Sequence, residues 1–355
     1  MRVLVTGGAG YIGSHMVRAL ELGGHHVVVV DDLSSGHADA VPKGVPFIRC
    51  DVRDRGAVSH AIQTHEVTAI FHFASRIQVG ESVRDPRLYY RDNLAAGVEL
   101  LDIALDAGVK RLILSSTAAV YGNPIRTPIG EEHATAPVNP YGATKLALEG
   151  MLASYAAAYG FSYAALRYFN AAGADDGLDG TSEASPRRGP HLDGTSEASP
   201  RRGPHLEERH HPETHLIPLV LDAASGALPS ITVFGDDYDT PDGTCIRDYV
   251  HVSDLCAAHL RALEYLEGGG ESGAFNLGTG KGHSVREVIA CVARTTGKMV
   301  PTLKGERRAG DPPVLVASAE RAKRVLGWEA KRSSLEEIVR DAWKARTGRA
   351  SVQNR

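Results

Sequence analysis

The chain has 355 residues, 43% of them apolar, and a formal net charge of -4 at pH 7. This suits a soluble globular protein with two domains or one large one. The balanced charge argues against nucleic acid as the main partner, and no apolar run is long enough to predict a membrane span.

Met1 leads at once into an apolar strand and a glycine loop, so no signal peptide is read and a cytoplasmic protein is expected. Cys50, Cys245, Cys256 and Cys291 show no paired ligand spacing. They read as thiols of a reducing compartment, and no metal site is expected.

Taken in order, Val3-Leu4-Val5 is a buried strand followed by Gly7, Gly10 and Gly13 in a Gly-x-x-Gly-x-x-Gly turn. Ile12, Met16, Val17 and Leu20 then fall at helical spacing, Gly23-Gly24 stops the helix, and Val27 to Val30 form a second strand ending in Asp31-Asp32. Strand, glycine turn, helix, strand and acid make a complete βαβ unit that predicts dinucleotide binding. The glycines admit a pyrophosphate to the backbone and the helix N-terminus. Asp31, 18 residues after Gly13, suits a ribose 2′-hydroxyl and repels a 2′-phosphate, so NAD is expected over NADP.

The alternation continues through strands at 47–50, 68–73, 111–114 and 164–168, with helical patterns between them, including Leu94 to Leu105. Continuous apolar strands between helices predict a doubly wound parallel α/β sheet of the Rossmann type. Ligands gather at the carboxyl ends of such strands. There lie Asp51-Val52, Ala74-Ser75, Ser115-Ser116-Thr117 and Phe169-Asn170.

Between the fifth and sixth strands, Asn139-Pro140 opens a helix carrying Tyr141 and Lys145, with an apolar stripe of Leu146, Leu148 and Leu152. Residues at this spacing leave one helix face about 6 Å apart. An ammonium that close is expected to pull the phenol down from about 10 toward neutrality, where it can take and return a proton.

Beyond Gly173 the segment Leu178 to His191 recurs unchanged from Leu192 to His205. Its Gly, Pro, Ser and Arg content reads as a surface insertion without a role in activity. Ordered patterns resume at His215, with strands near 231–235 and 275–278, and helices after Val252, from Ser284 and from Ser333. Ser253 or Asp254 is expected to cap the first of these helices. The texture is α+β. Residues 1–173 are assigned to the NAD-binding domain, with 231–256 returning to it. Residues 174–230 and 257–350 are assigned to a smaller substrate domain holding the repeat at 178–205.

Together, Gly7-x-x-Gly10-x-x-Gly13, Ser115-Ser116-Thr117, Tyr141-x-x-x-Lys145 and Arg247-Asp248-Tyr249-Val250-His251-Val252 resemble the extended short-chain dehydrogenase/reductases. Val120-Tyr121-Gly122, Phe234 to Thr244 and Phe275 to Gly280 are similar to the UDP-glucose 4-epimerase branch of that family. The resemblance runs from residue 1 to about 345, apart from the repeat.

It implies C4 epimerisation of UDP-glucose and UDP-galactose through a 4-keto sugar and tightly held NAD, or of another UDP-sugar such as UDP-xylose/UDP-arabinose or UDP-GlcNAc/UDP-GalNAc. Tyr141 is then the base, Lys145 its partner, and Thr117 a hydrogen-bond partner of the 4-oxygen. The resemblance brings Gly7, Gly10, Tyr11, Ile12, Gly13, Asp31, Asp32, Asp51, Val52, Phe73, Ala74, Asn93, Ser115 and Tyr168 to the cofactor. Ile77 stands where well-known members carry a lysine, with Arg76 beside it. For the UDP-sugar it implies Asn170, His215, Leu216, Phe234 at the uracil, Arg247 and Arg308 at the diphosphate, and Asp311 at the uridine ribose. Leu315 occupies a position that varies in size, and its bulk predicts a preference for hexoses without an N-acetyl group. A homodimer through helices including the Tyr141 helix is expected.

Overall fold

A computed structural model describes residues 1–175, 206–210, 212–308 and 311–353; the repeat at 178–205 lies outside them. The first half runs β1 Arg2–Thr6, α1 Tyr11–Leu22, β2 His26–Asp31, β3 Phe47–Arg49, α2 Arg55–Thr64, β4 Ala69–His72, α3 Val79–Arg84, α4 Pro86–Tyr89, α5 Ala96–Asp106, β5 Arg111–Thr117, α6 Pro140–Tyr159, β6 Ser162–Tyr168 and β7 Asn170–Ala172. The second runs α7 Leu216–Ser225, β8 Ile231–Phe234, β9 Ile246–Arg247, β10 Tyr249–His251, α8 Val252–Glu267, β11 Gly273–Leu277, β12 His283–Ser284, α9 Val285–Thr296, β13 Thr302–Gly305, β14 Val314–Leu315 and α10 Leu335–Gln353.

The main sheet has seven strands in the order β11-β6-β5-β4-β1-β2-β3, and all its pairs are parallel. Its strands are apolar on both sides because both faces are covered. Along β1, Val3 and Val5 face α1 and α8, whereas Leu4 faces α2, α5 and α6. Burying such residues contributes about 1.5–3 kcal/mol per side chain. Register aligns the strand ends: Thr6 pairs with Val30 and His72, and Thr117 pairs with Tyr168. The polar residues of the carboxyl edge therefore share one crest.

The six expected strands are present, and β11 is a seventh, alongside β6. Of the stretch 231–256, expected to return to the Rossmann unit, β8 pairs with β13, outside the main sheet. Conversely α8 and β11, beyond 257 for the most part, pack into the main core through Ala258, Leu263, Phe275 and Leu277. The edge of β6 needed a partner, and the apolar β11 supplies it.

The cap of α8 also differs from expectation. His251 Nδ1 accepts from Ser253 N at 3.1 Å. Ser253 Oγ donates to Asp175, and Asp254 accepts from Ser333 and Arg332, so neither is available. A second core, from α7, α9 and α10, includes Val220, Leu221, Val288 and Ile338. Among the described residues no helix is long and apolar enough to cross a membrane.

Candidate active site

The glycine turn is sterically obligatory. Gly7 has φ +73°, and a Cβ there would stand 2.5 Å from Ala74 N; a Cβ on Gly13 would stand 2.0 Å from Gly7 O. α1 starts at Gly10 with no side-chain cap, so the first amides of the helix, from Tyr11, Ile12 and Gly13, are left for an anion. Asp31, 7% exposed, accepts from Ala9 N at 2.9 Å and Leu33 N at 2.8 Å. Burial raises its pKa against those two bonds. Its carboxylate thus stands at the glycine turn, whereas exposed Asp32 turns away to Ser34 N. An uncapped helix start, a turn that excludes a Cβ at Gly7 and Gly13 and a buried acid fit a dinucleotide.

Around this cradle, Tyr11 OH donates to Gly173 O at 2.6 Å. Phe73 lies 5.0 Å from His259, ring centre to ring centre. Asp51 is held bidentately by Arg53, and the same arginine holds Asp51 below the usual carboxylate range. Val52 is buried. Asn93 lies in a π-helical turn, Tyr90–Ala95, where it bonds Arg76 N, Arg76 O and Thr144. It therefore braces the Arg76 loop against α6. The Arg76 guanidinium is committed to Asp92 at 2.7 Å and reaches Glu81 at 3.7 Å.

α6 opens as its sequence dictates. Asn139 Oδ1 accepts from Gly142 N at 2.9 Å, and Pro140 takes the first helical position, where its missing N–H costs nothing. This start turns Tyr141 and Lys145 toward β5. Lys145 Nζ donates to Ser115 O at 2.8 Å. The Thr117 side chain faces Tyr141 closely enough to oppose the rise of its phenol, and its hydroxyl accepts from Ala119 N at 3.1 Å. Ser115 Oγ bonds the Tyr168 hydroxyl, and the Tyr141 ring meets Tyr89 edge-on at 6.4 Å.

The electrostatics of the pair correct the expectation from spacing. Burial raises the Tyr141 phenol above its ordinary value, with the Thr117 bond as the opposing influence. Burial also lowers Lys145 to about 7, although Glu149, one turn on, raises it. An ammonium withdrawn from water loses charge and with it the pull on a phenolate. Lys145, 1% exposed, is instead anchored on the Ser115 carbonyl.

Sequence reasoning missed what lies beneath. Glu149, Arg167 and Ser116 form a buried cluster in which Arg167 Nε stands 3.0 Å from Glu149. The available signal was a carboxylate four residues after Lys145, on the side expected to be apolar.

Several candidate substrate residues meet in pairs. The Arg308 guanidinium lies 4.0 Å over the Phe234 ring. Arg247 pairs with Asp311, and Leu315 is its neighbour in register. Arg247 and Asp311, expected at different parts of a ligand, thus meet each other. Leu315, like Leu146 and Phe169, packs against the cluster of Val120, Tyr121 and Ile129, which links this group to the Thr117 loop and α6. Asn170 is in register with Tyr249 on β10. His215 precedes Leu216 at the start of α7. Burial works against charge on His215, but Glu208 and Glu213 outweigh it and raise it to about 10. Glu208, His210 and Glu213, unnoticed in the sequence, accompany it.

A parallel sheet with a glycine turn after its first strand and a Thr, Tyr and Lys at its carboxyl edge defines a dinucleotide-dependent enzyme of the short-chain dehydrogenase/reductase class. A family model described as GDP-mannose 4,6 dehydratase matches residues 4–342. The UDP-glucose 4-epimerase of Halalkalibacterium halodurans is 47% identical over 97% of this chain and 95% of its own. The crystal structure of UDP-glucose 4-epimerase from Brucella ovis in complex with NAD is 46% identical, with a TM-score of 0.86 over 96% of this chain and 97% of that one. The Bifidobacterium longum UDP-glucose 4-epimerase in complex with NAD+ and UDP is 33% identical, with a TM-score of 0.84 over 99% of both chains. The chain belongs to the UDP-glucose 4-epimerase family of extended short-chain dehydrogenase/reductases.

Proposed function

We propose that this protein inverts C4 of a UDP-hexose, interconverting UDP-glucose and UDP-galactose with NAD held in the site. The observation that carries the reading is the gathering of Thr117, Tyr141 and Lys145 beside a turn that fits a dinucleotide. NAD, when bound, supplies a hydride acceptor that can return what it takes.

As the phenolate, which the positive charge of bound NAD would favour against the burial of the site, Tyr141 receives the proton of the sugar 4-hydroxyl as C4 loses hydride, and returns it when C4 regains hydride on its other face. Thr117 holds the 4-oxygen throughout, its hydroxyl serving as donor or acceptor. The 4-keto sugar turns over between the two transfers, so no net redox change occurs. Lys145, steadied by Ser115 O, serves the nicotinamide ribose, and Asp31 the adenosine ribose. Arg247 and Arg308 take the diphosphate through their guanidinium forks, which requires Arg247 to share or leave Asp311. The half carrying α7, β8, β9 and β13 is taken as the UDP-sugar side. Dehydration would need acids beside the strand-end threonine; Ala118 and Ala119 occupy that place.

Purified protein given UDP-glucose and no added NAD is expected to form UDP-galactose. Protein that carries the dinucleotide yet converts no UDP-hexose refutes the reading. In the same assay the N-acetyl pair should give kcat/KM about tenfold or more lower, the scale set by a pocket that lacks room for a group. Equal values would remove Leu315 from specificity.

A homodimer belongs to this reading. The charged residues of α6 are Lys145 and Glu149, and both are buried. Its solvent side, with Ala147, Gly150, Ala153 and Ser154, is uncharged, and a helix without a charged face calls for cover on every side. Light scattering is expected to return twice the chain mass; a monomer at micromolar concentration removes the dimer.

A further inference from the structure

The segment that leads into α7 carries Glu208-x-His210-x-x-Glu213-x-His215. Four donor atoms, one from each residue, lie within 4.8 Å of one another. His215 Nδ1 is 2.8 Å from Glu208 Oε1 and 3.0 Å from Glu213 Oε1. His210 Nδ1 is 3.4 Å from Glu208 Oε1 and 3.6 Å from Glu213 Oε2. Zinc bonds of about 2.0–2.1 Å set tetrahedral donors about 3.3 Å apart, the middle of this range.

The two carboxylates need positive charge beside them, which two protonated imidazoles or one metal ion can supply. The Glu208 side chain is 7% exposed, and a buried carboxylate needs a partner of opposite charge. His210 Nδ1 is buried without a hydrogen-bond partner, yet it faces both carboxylates. Glu213 is held in place by the backbone: Oε1 accepts from Thr214 N and His215 N, each at 2.8 Å. The two imidazole rings lie 5.0 Å apart, centre to centre. One divalent ion would serve both nitrogens and both carboxylates at once.

We propose that Glu208, His210, Glu213 and His215 form a structural zinc site. Two imidazoles and two carboxylates suit a borderline-soft ion in tetrahedral geometry, and four protein ligands leave no open position for catalysis. The site ties separate parts of the chain together. His210 meets the Tyr11 ring edge-on at 6.4 Å, Arg209 pairs with Asp39, and Arg209 O stands 3.0 Å from His37 Nε2. The 206–210 segment therefore crosses the loops beside the glycine turn, and the ion pins it to the start of α7. The sequence expectation of no metal rested on the cysteines, and this ligand set contains none.

The test uses full-length protein purified without chelator, freed of any affinity tag and dialysed first against micromolar zinc and then against buffer. Elemental analysis is expected to find about one zinc per chain. Glu208→Gln and His210→Ala should each reduce it at least tenfold. Cobalt exchanged into the wild type should show the intense visible bands of a tetrahedral ion, a readout that needs no variant to fold. Removal of metal with dipicolinate should lower Tm by several degrees, restored by zinc. Wild type without stoichiometric zinc, cobalt with only the pale octahedral spectrum, or full zinc retention in the Glu208→Gln/His210→Ala double variant each overturns the site. Those results would leave two histidine–carboxylate ion pairs in its place.

Discussion

Tyr141→Phe is expected to lower kcat for UDP-glucose epimerisation by about 10²–10⁴-fold, the range for loss of a positioned acid–base group. KM should stay within a few-fold, and the protein should still retain NAD. The expectation rests on how little else the hydroxyl does. The ring is placed by the α6 start, with Asn139 and Pro140 setting the first turn, and it packs edge-on with Tyr89. Phenylalanine keeps both features. The hydroxyl faces Thr117, whose own bond, from Ala119 N, survives the change. A kcat split from KM is what separates a reacting group from a packing one. Full activity in this variant would remove Tyr141 from the chemistry.

Glu149→Ala should cost about 3–5 kcal/mol of stability, the scale for stranding one member of a buried ion pair. Glu149 and Arg167 side chains are 7% and 9% exposed, with 2.5 Å between Arg167 Nη2 and Glu149 Oε2. Arg167 also donates to Tyr121 OH at 2.9 Å, which in turn donates to Asn276 at 2.7 Å. The pair therefore joins α6, β6 and β11 below the site. Without Glu149 the guanidinium loses its hydrogen-bonded carboxylate and keeps Tyr121 OH, with Glu131 acting on it only as a charge that no hydrogen bond joins to it. Replacing both partners, as Glu149→Leu with Arg167→Met, should recover much of the loss because no charge is left stranded. Denaturant titration of the two variants measures this. A single-variant cost under about 1 kcal/mol would show that water reaches Arg167. The variant should also shift the pH profile: Glu149 raises Lys145 from a burial-lowered value. Its removal lowers Lys145 further, so the ammonium is lost at a lower pH.

These two residues mark different degrees of legibility. Tyr141 and Lys145 were read from spacing because a helix places such residues on one face whatever surrounds it. The glycine turn was read for a similar reason: its strand, turn, helix and acid are consecutive. Glu149 was passed over because a carboxylate on an apolar stripe acquires meaning only when Arg167, from another element, is set against it.

The sequence by itself determined the parallel sheet and the dinucleotide turn and put Tyr141 and Lys145 on one helix face, since these follow from periodicity or short-range spacing; the family resemblance added Thr117 to them. Tertiary structure decided the rest. It placed β11 at the edge of β6. It turned Lys145 onto Ser115 O, paired Arg247 with Asp311, and assembled the histidine–carboxylate cluster before α7. The physical reason is burial. Desolvation sets the charge a side chain can hold and the partners it must find, and it depends on elements that meet only in the folded chain.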